Sequence, residues 1–135
     1  MADETPTDAL AGLDLPFARL AGIELVSATP QEVRGRMGWR EDLCTTGGIL
    51  HGGALMTLAD TLGAVCAFLN LPSGAGTATI ESKTNFLRAV RGGSVDAVSA
   101  PVHVGRTVIV VQTDVRDSDG RRVALVTQTQ AVLQR

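Results

Sequence analysis

The sequence has no tyrosine, three phenylalanines and one tryptophan. Proteins that hold unpaired bases stack them on aromatic side chains, so this composition argues against single-strand nucleic-acid binding. A basic excess is missing too. Twelve Lys and Arg stand against 14 Asp and Glu, a formal charge of -2, which argues against nucleic acid or an anionic membrane surface as the main partner. Cysteine is scarce. Cys44 and Cys66 make no disulfide framework, and neither has a second Cys or a His at metal-ligand spacing, so no metal and no cofactor is expected. The uncharged stretch from Thr61 to Ile80 is broken by Asn70, Pro72, Ser73, Gly74 and Gly76, so no membrane span is expected there. The first residues, MADETPTDALAGLDLP, are acidic and lack the basic start and apolar run of a signal peptide. A cytoplasmic protein with reduced thiols is the expectation.

What is present is an ordinary globular composition, 44% apolar and 19% charged over 135 residues. That length suits one domain. Residues 1–14 are expected to be flexible and 15–135 to fold. Leu15 to Leu20 reads as a short helix. Ile23 to Ala28 and Glu32 to Trp39 read as strands, the second with Val33, Gly35, Met37 and Trp39 alternating against Glu32, Arg34, Arg36 and Gly38. A loop over residues 40–50 precedes a helix from about His51 to Leu69, which Asn70 to Gly74 stops. Strands are then expected at Thr77 to Leu87, Ser94 to Val102, Arg106 to Val115 and Arg122 to Leu133. The turn Asp117-Ser118-Asp119-Gly120 joins the last two. In the Thr77 strand the period of two puts Thr79 with Glu81, Lys83 and Asn85. Six strands and one long helix make an α+β architecture.

The helix has two unlike faces. Leu55, Leu58, Leu62, Val65 and Leu69 fall on one stripe. Gly53, Thr57, Asp60, Ala64 and Ala67 lie opposite, with Met56 and Gly63 at the edges. This second face is small and carries no Lys, Arg or Glu, so it is expected to pack against the same helix of a second copy. Asp60 is the one charged residue between Asp42 and Glu81, and a carboxylate on an apolar helix needs a partner or water. It reads either as a hydrogen-bonded helix residue or as a functional acid. The run Gly47-Gly48-Ile49-Leu50-His51-Gly52-Gly53 enters the helix directly. It reads either as a tight loop or as an oxyanion hole built from backbone N–H groups. Gly52 and Asp60 are eight residues apart, about 12 Å along a helix. Asp60 therefore cannot serve a carbonyl at its own helix start, and an antiparallel partner helix would be needed. His51 is a candidate helix cap as well as a candidate catalytic group.

The segment Gly47 to Asp60, GGILHGGALMTLAD, resembles the HGG…D motif of hotdog-fold acyl-CoA thioesterases of the PaaI-like and 4-hydroxybenzoyl-CoA thioesterase group. TIESKTNFLR (Thr79 to Arg88) resembles the strand that follows, and Gly105-Arg106-Thr107 fits as well. The resemblance covers about residues 20 to 134. It implies a hotdog fold, an antiparallel sheet wrapped around one long central helix, assembled as a homodimer or homotetramer. It implies hydrolysis of an acyl-CoA substrate, with Asp60 as nucleophile or general base. The Gly52 N–H would bind the thioester oxygen, with Gly53 beside it, and His51 would orient or polarise the carbonyl. Thr79 would assist the water. Thr45 stands near a position where many relatives have Asn or Gln, so a hydroxyl replaces an amide there. Ala64 leaves room for an acyl group. Arg88, Arg91 and Arg106 are candidates for the CoA phosphates. The alternatives are a hotdog enoyl-CoA hydratase or dehydratase, for which no His follows Asp60 at short spacing, and a non-catalytic acyl-CoA-binding module.

Overall fold

The computed structural model describes residues 13–134, so the flexible segment expected over 1–14 lies outside the described residues except for Leu13 and Asp14. Asp14 pairs with Arg19 on the first helix.

Helix α1 (Pro16–Ala21) begins on a proline, which suits a first helical turn because its missing N–H is unneeded there. Gly22 closes it in the left-handed conformation (φ 77°). Strands β1 (Ile23–Ala28) and β2 (Val33–Gly38) form a hairpin through Thr29–Glu32. The alternation read in β2 is the observed burial pattern: Val33, Gly35 and Met37 inward, the intervening residues exposed. Two short 3₁₀ turns follow, and then helix α2 (Gly52–Leu69). The chain ends in β3 (Gly76–Phe86), β4 (Ser94–Val104), β5 (Val108–Arg116) and β6 (Arg122–Leu133). All six strands form one antiparallel sheet in the order β1-β2-β4-β5-β6-β3.

The sheet wraps α2. Leu55, Leu58, Leu62 and Val65 are buried against Met37, Val95, Ile109, Val111 and Val115 in one core. The helix is long and apolar enough to cross a membrane, with a mean hydropathy of 1.5. The sheet takes up that apolar surface instead, as the α+β hotdog expectation required.

Three expectations change. First, β3 does not alternate evenly. Its register against β6 slips between Thr79 and Glu81, so Ile80 is an extra residue, a β-bulge. Beyond it the faces exchange: Thr79 turns to the helix side with Ser82, and not outward with Lys83 and Asn85. Second, β4 runs on to Val104 through Pro101. Its register slips there by one residue, as a proline lacking a ladder N–H favours. Residues 105–107 form the turn, so Arg106 precedes β5. Third, the small face of α2 is partly covered by its own chain. Gly63 and Ala67 are buried, and the Gln128 side chain of β6 lies directly over Gly63.

A Cβ at Gly63 would collide with the buried Gln128 amide. Gly63→Ala is therefore expected to destabilise the fold by about 1–3 kcal/mol, although alanine is the better helix former. Urea unfolding of the two proteins measures this directly.

Candidate active site

The entrance to α2 is built by its loop. The 44–50 segment folds back through a Cys44–Leu50 bridge, and the Thr45 N–H donates to Ile49 O at 2.8 Å. Gly47 and Gly48 take positive φ values of 80° and 71° there, where glycine carries no Cβ penalty. Trp39 Nε1 donates to Gly48 O at 2.9 Å and ties the loop to the sheet. The His51 N–H donates to Leu43 O, and Leu50 N–H to Val90 O, both at 2.9 Å. These bonds bring residues 88–91 to the same end of the molecule.

His51 is the N-cap of α2. Its Nδ1 accepts the Gly53 N–H at 2.7 Å. An accepting Nδ1 carries no proton, so the neutral ring bears its proton on Nε2, which is free to donate. His51 O accepts from Ala54 and Leu55. Of the first N–H groups of the helix, Gly52 alone has no partner among the described residues. Gly53, the second candidate at the entrance, already has its N–H engaged by His51.

Asp60 lies two turns on and is exposed in the single chain. Thr79 Oγ1 donates to its Oδ1 at 2.8 Å across to β3. Met56, Thr57, Asp60, Thr79 and Ser82 line an open groove of about 270 Å³. The Thr57 hydroxyl, on the same face of the helix as Asp60, donates to Gly53 O at 2.8 Å within the helix and not to the carboxylate. A larger cavity, about 620 Å³, lies at the helix-entrance end and includes Arg88, Arg91, Ser118 and Arg121 in its lining. Its two carboxylates, Asp117 and Asp119, are both paired with Arg121, whereas Asp60 has no cation beside it, so the groove is the better reading of the reacting centre and the larger cavity of a binding region.

One chain thus divides the candidates into groups. Thr45, His51, Gly52, Gly53, Arg88 and Arg91 sit at one end. Asp60 and Thr79 are joined at mid-helix, with the half-buried Ala64 one turn further along. Arg106 lies in the β4–β5 turn, at the opposite end of the sheet from Arg88. Two residues escape the sequence reading altogether. Gln128 and Gln130 are fully buried on the inner face of β6 and belong to a hydrogen-bonded chain that ends on Asp60. The available signal is two glutamines at i, i+2 in a strand that after Arg122 is otherwise apolar or hydroxyl.

The cysteines stand apart from this chemistry. Cys66 is buried in the core, and burial pushes its thiol up to about 11. The folded protein therefore holds the Cys66 proton above pH 9, the ordinary value, while the unfolded chain releases it. Stability is expected to fall between about pH 9 and 11 by an amount that Cys66→Ala removes, which denaturant titrations across that window measure. Cys44 is half-buried, with Sγ directed at Arg40 O, and burial raises its pKa as well, with Glu41 and Asp42 adding to the effect. That is the reverse of an activated thiol.

A single antiparallel sheet wrapped on one helix, with a carboxylate at mid-helix and an open amide at the helix entrance, defines a hotdog-fold protein of the thioesterase class. The profile of the thioesterase superfamily matches residues 47–124, and the chain belongs to that family. The 1,4-dihydroxy-2-naphthoyl-CoA hydrolase of Escherichia coli is 29% identical over 121 residues, covering 90% of this chain and 83% of that protein. A protein of Vibrio cholerae named as an esterase is 38% identical over 85 residues, 63% of this chain. The chain spans only 57% of that relative's length, and 62% of a similarly named one from Haemophilus influenzae. Among solved structures, a Haemophilus influenzae thioesterase superposes with a TM-score of 0.87 at 26% identity, covering 95% of this chain and 90% of that one.

Proposed function

We propose that the protein hydrolyses acyl-CoA thioesters to the free acid and CoA, at sites shared between two copies of the chain. The observation that carries this reading is the separation of Asp60 from the unpaired Gly52 N–H within one chain, about 12 Å along α2.

A second copy resolves the separation. β3 is the longer of the sheet's two edge strands, 11 residues long without proline, and its Ile80 side chain is 61% exposed. An open edge of this kind invites antiparallel pairing with another strand. Gly52 lies level with Phe86, whose ring faces it, and Asp60 lies level with Thr79. A twofold axis half-way between, near Ser82 and Lys83, would bring Asp60 to the partner's Gly52. It would also bring Arg106 toward the end where the partner's Arg88 and Arg91 arrive. That is how three arginines so far apart in one chain can face one CoA. The groove at Asp60 is small for a ligand site because the partner forms its other wall.

In this site the thioester oxygen rests on the partner's Gly52 N–H, with the Nε2 proton of the partner's His51 as a second donor. Asp60 attacks the carbonyl carbon, or takes a proton from the water that does, and the CoA thiolate leaves as the tetrahedral intermediate collapses; in the first case water then cleaves the anhydride formed on Asp60, releasing the acid and restoring the carboxylate. Thr79 holds one carboxylate oxygen and leaves the other free to react. The partner's Thr45, exposed beside the partner's helix entrance, has a hydroxyl placed to hold the water. A naphthoyl-CoA hydrolase among the relatives and the small Ala64 beyond Asp60 favour an aryl acyl group.

The test is thiol release from aryl-, short- and long-chain acyl-CoA. Release fastest with the aryl thioesters supports the hydrolase reading and the aryl preference. Tight binding without release would leave an acyl-CoA-binding module, and hydration of an enoyl-CoA without release would leave a hydratase.

A further inference from the structure

β6 turns Ala124, Val126, Gln128, Gln130 and Val132 inward, and both glutamines are completely buried. Burying an amide is unfavourable unless its hydrogen bonds are made, and aliphatic side chains at these two positions would need none. The bonds these amides make run in one direction. Gln128 Nε2 donates to the carbonyl of Ala59, the residue before Asp60, at 3.1 Å. Gln128 Oε1 accepts from Gln130 Nε2. The other Nε2 proton of Gln130 goes to Thr79 Oγ1 at 2.7 Å, while Gln130 Oε1 lies 3.2 Å from Thr77 Oγ1, whose one proton it shares with Ala131 O at 2.8 Å. Thr79 Oγ1 then donates to Asp60 Oδ1 at 2.8 Å.

The geometry points to Gln130 as a positioning residue for the reaction: by donating to Thr79, it commits that hydroxyl's one proton to Asp60 and holds the carboxylate with a single oxygen free. A hydroxyl has one proton and accepts as well as donates. Without a donor behind it, the Thr79 hydroxyl can turn toward other acceptors and release Asp60. Gln128 extends the support to the helix backbone itself, through Ala59. The same pair of amides on β6 therefore sets both the peptide that carries Asp60 and the rotamer of its side chain. The β3 bulge at Ile80 belongs to this device, because it turns Thr79 inward on one side and Ser82 on the other. Gln130 touches no substrate; it acts through Thr79.

This inference rests on Asp60 being the reacting carboxylate. The full-length protein carries the test, with thiol release from an aryl-CoA as the assay. Gln130→Met keeps the side-chain length and removes the donor. It is expected to lower kcat about tenfold, the scale of a lost orienting contact, with KM within twofold. Thr79→Val is expected to do the same, Thr79→Ser to recover most of the loss, and Gln130→Met to lower kcat no further in the Thr79→Val background. Were Gln130→Met not to fold, Gln130→Val carries the same expectation, being a good strand former with no donor to offer Thr79. An unchanged kcat in a folded Gln130 variant, or losses that multiply fully in the double variant, would overturn the role. The two readings fail separately. Turnover retained in Asp60→Asn removes Asp60 itself, whereas an inactive Asp60→Asn beside a fully active Gln130→Met removes this inference alone.

Discussion

Asp60→Asn is expected to lower kcat at least ~10³-fold while leaving the fold and KM almost unchanged. The substitution preserves volume, and the Thr79 hydroxyl that donates to Oδ1 can donate equally to the amide oxygen of Asn. Asp60 is exposed in the single chain and forms no ion pair among the described residues, so no buried charge partner is stranded by its loss. What disappears is the one carboxylate able to attack a carbonyl or deprotonate water beside the groove. An amide does neither. Thiol-release kinetics and a thermal melt on the same preparation measure the two halves of the expectation. A kcat within a few-fold of the parent would remove Asp60 from the mechanism, whatever the fold family does elsewhere.

The second large effect is a recovery. Gly52→Pro removes the open N–H at the first position of α2, where proline fits the helix geometry. The added ring would press on Phe86, whose terminal ring atoms come within 2.9 Å of the place a Cβ would occupy, but Phe86 is half exposed and free to swing outward. Gly52→Pro and Asp60→Asn are each expected to be nearly inactive. Co-refolded in equal amounts, they should regain about a quarter of the parent activity. Random pairing makes half of the dimers mixed. In each mixed dimer one site combines an intact Asp60 with an intact Gly52, and the other combines both lesions. A site contained within one chain predicts no recovery, because every chain is then defective. The mixture is therefore decisive about the assembly and does not depend on knowing the preferred acyl group. It also tests the open edge of β3, since a variant that blocks strand pairing there should abolish the recovery together with the dimer.

Much of the fold is legible in the sequence because period and punctuation are local. The bounds of β1 and β6 and the inward residues of β2 follow from alternation and from flanking Pro, Gly and Asp. Helix α2 follows from its aliphatic stripe and from Asn70 to Gly74 at its end. The alternation fails at Thr79 for a physical reason. A bulge is set by what the two strands must meet across the sheet, and nothing in TIESKTNF marks Ile80 as the extra residue. The small face of α2 departs in part from its expected packing for a related reason. Gly63 is small because a glutamine from β6, 65 residues later in the chain, lies on it, and helical periodicity cannot name the element that covers a face.

The amino-acid sequence by itself determined the helix and its two faces, the glycine-rich entrance, and the presence of one acid between Asp42 and Glu81. Each depends on residues close together in the chain, where backbone geometry translates spacing directly into placement. Tertiary structure alone decided that Asp60 is held from β3, that Thr79 is in turn held from β6, and that His51 spends its Nδ1 on the Gly53 N–H and leaves Gly52 open. Those pairings join residues 19 and 51 positions apart, or choose among several competing donors. Hydrogen bonds of that kind are settled by which strands become neighbours in the sheet and by the direction in which each proton can point, and neither is written in local spacing.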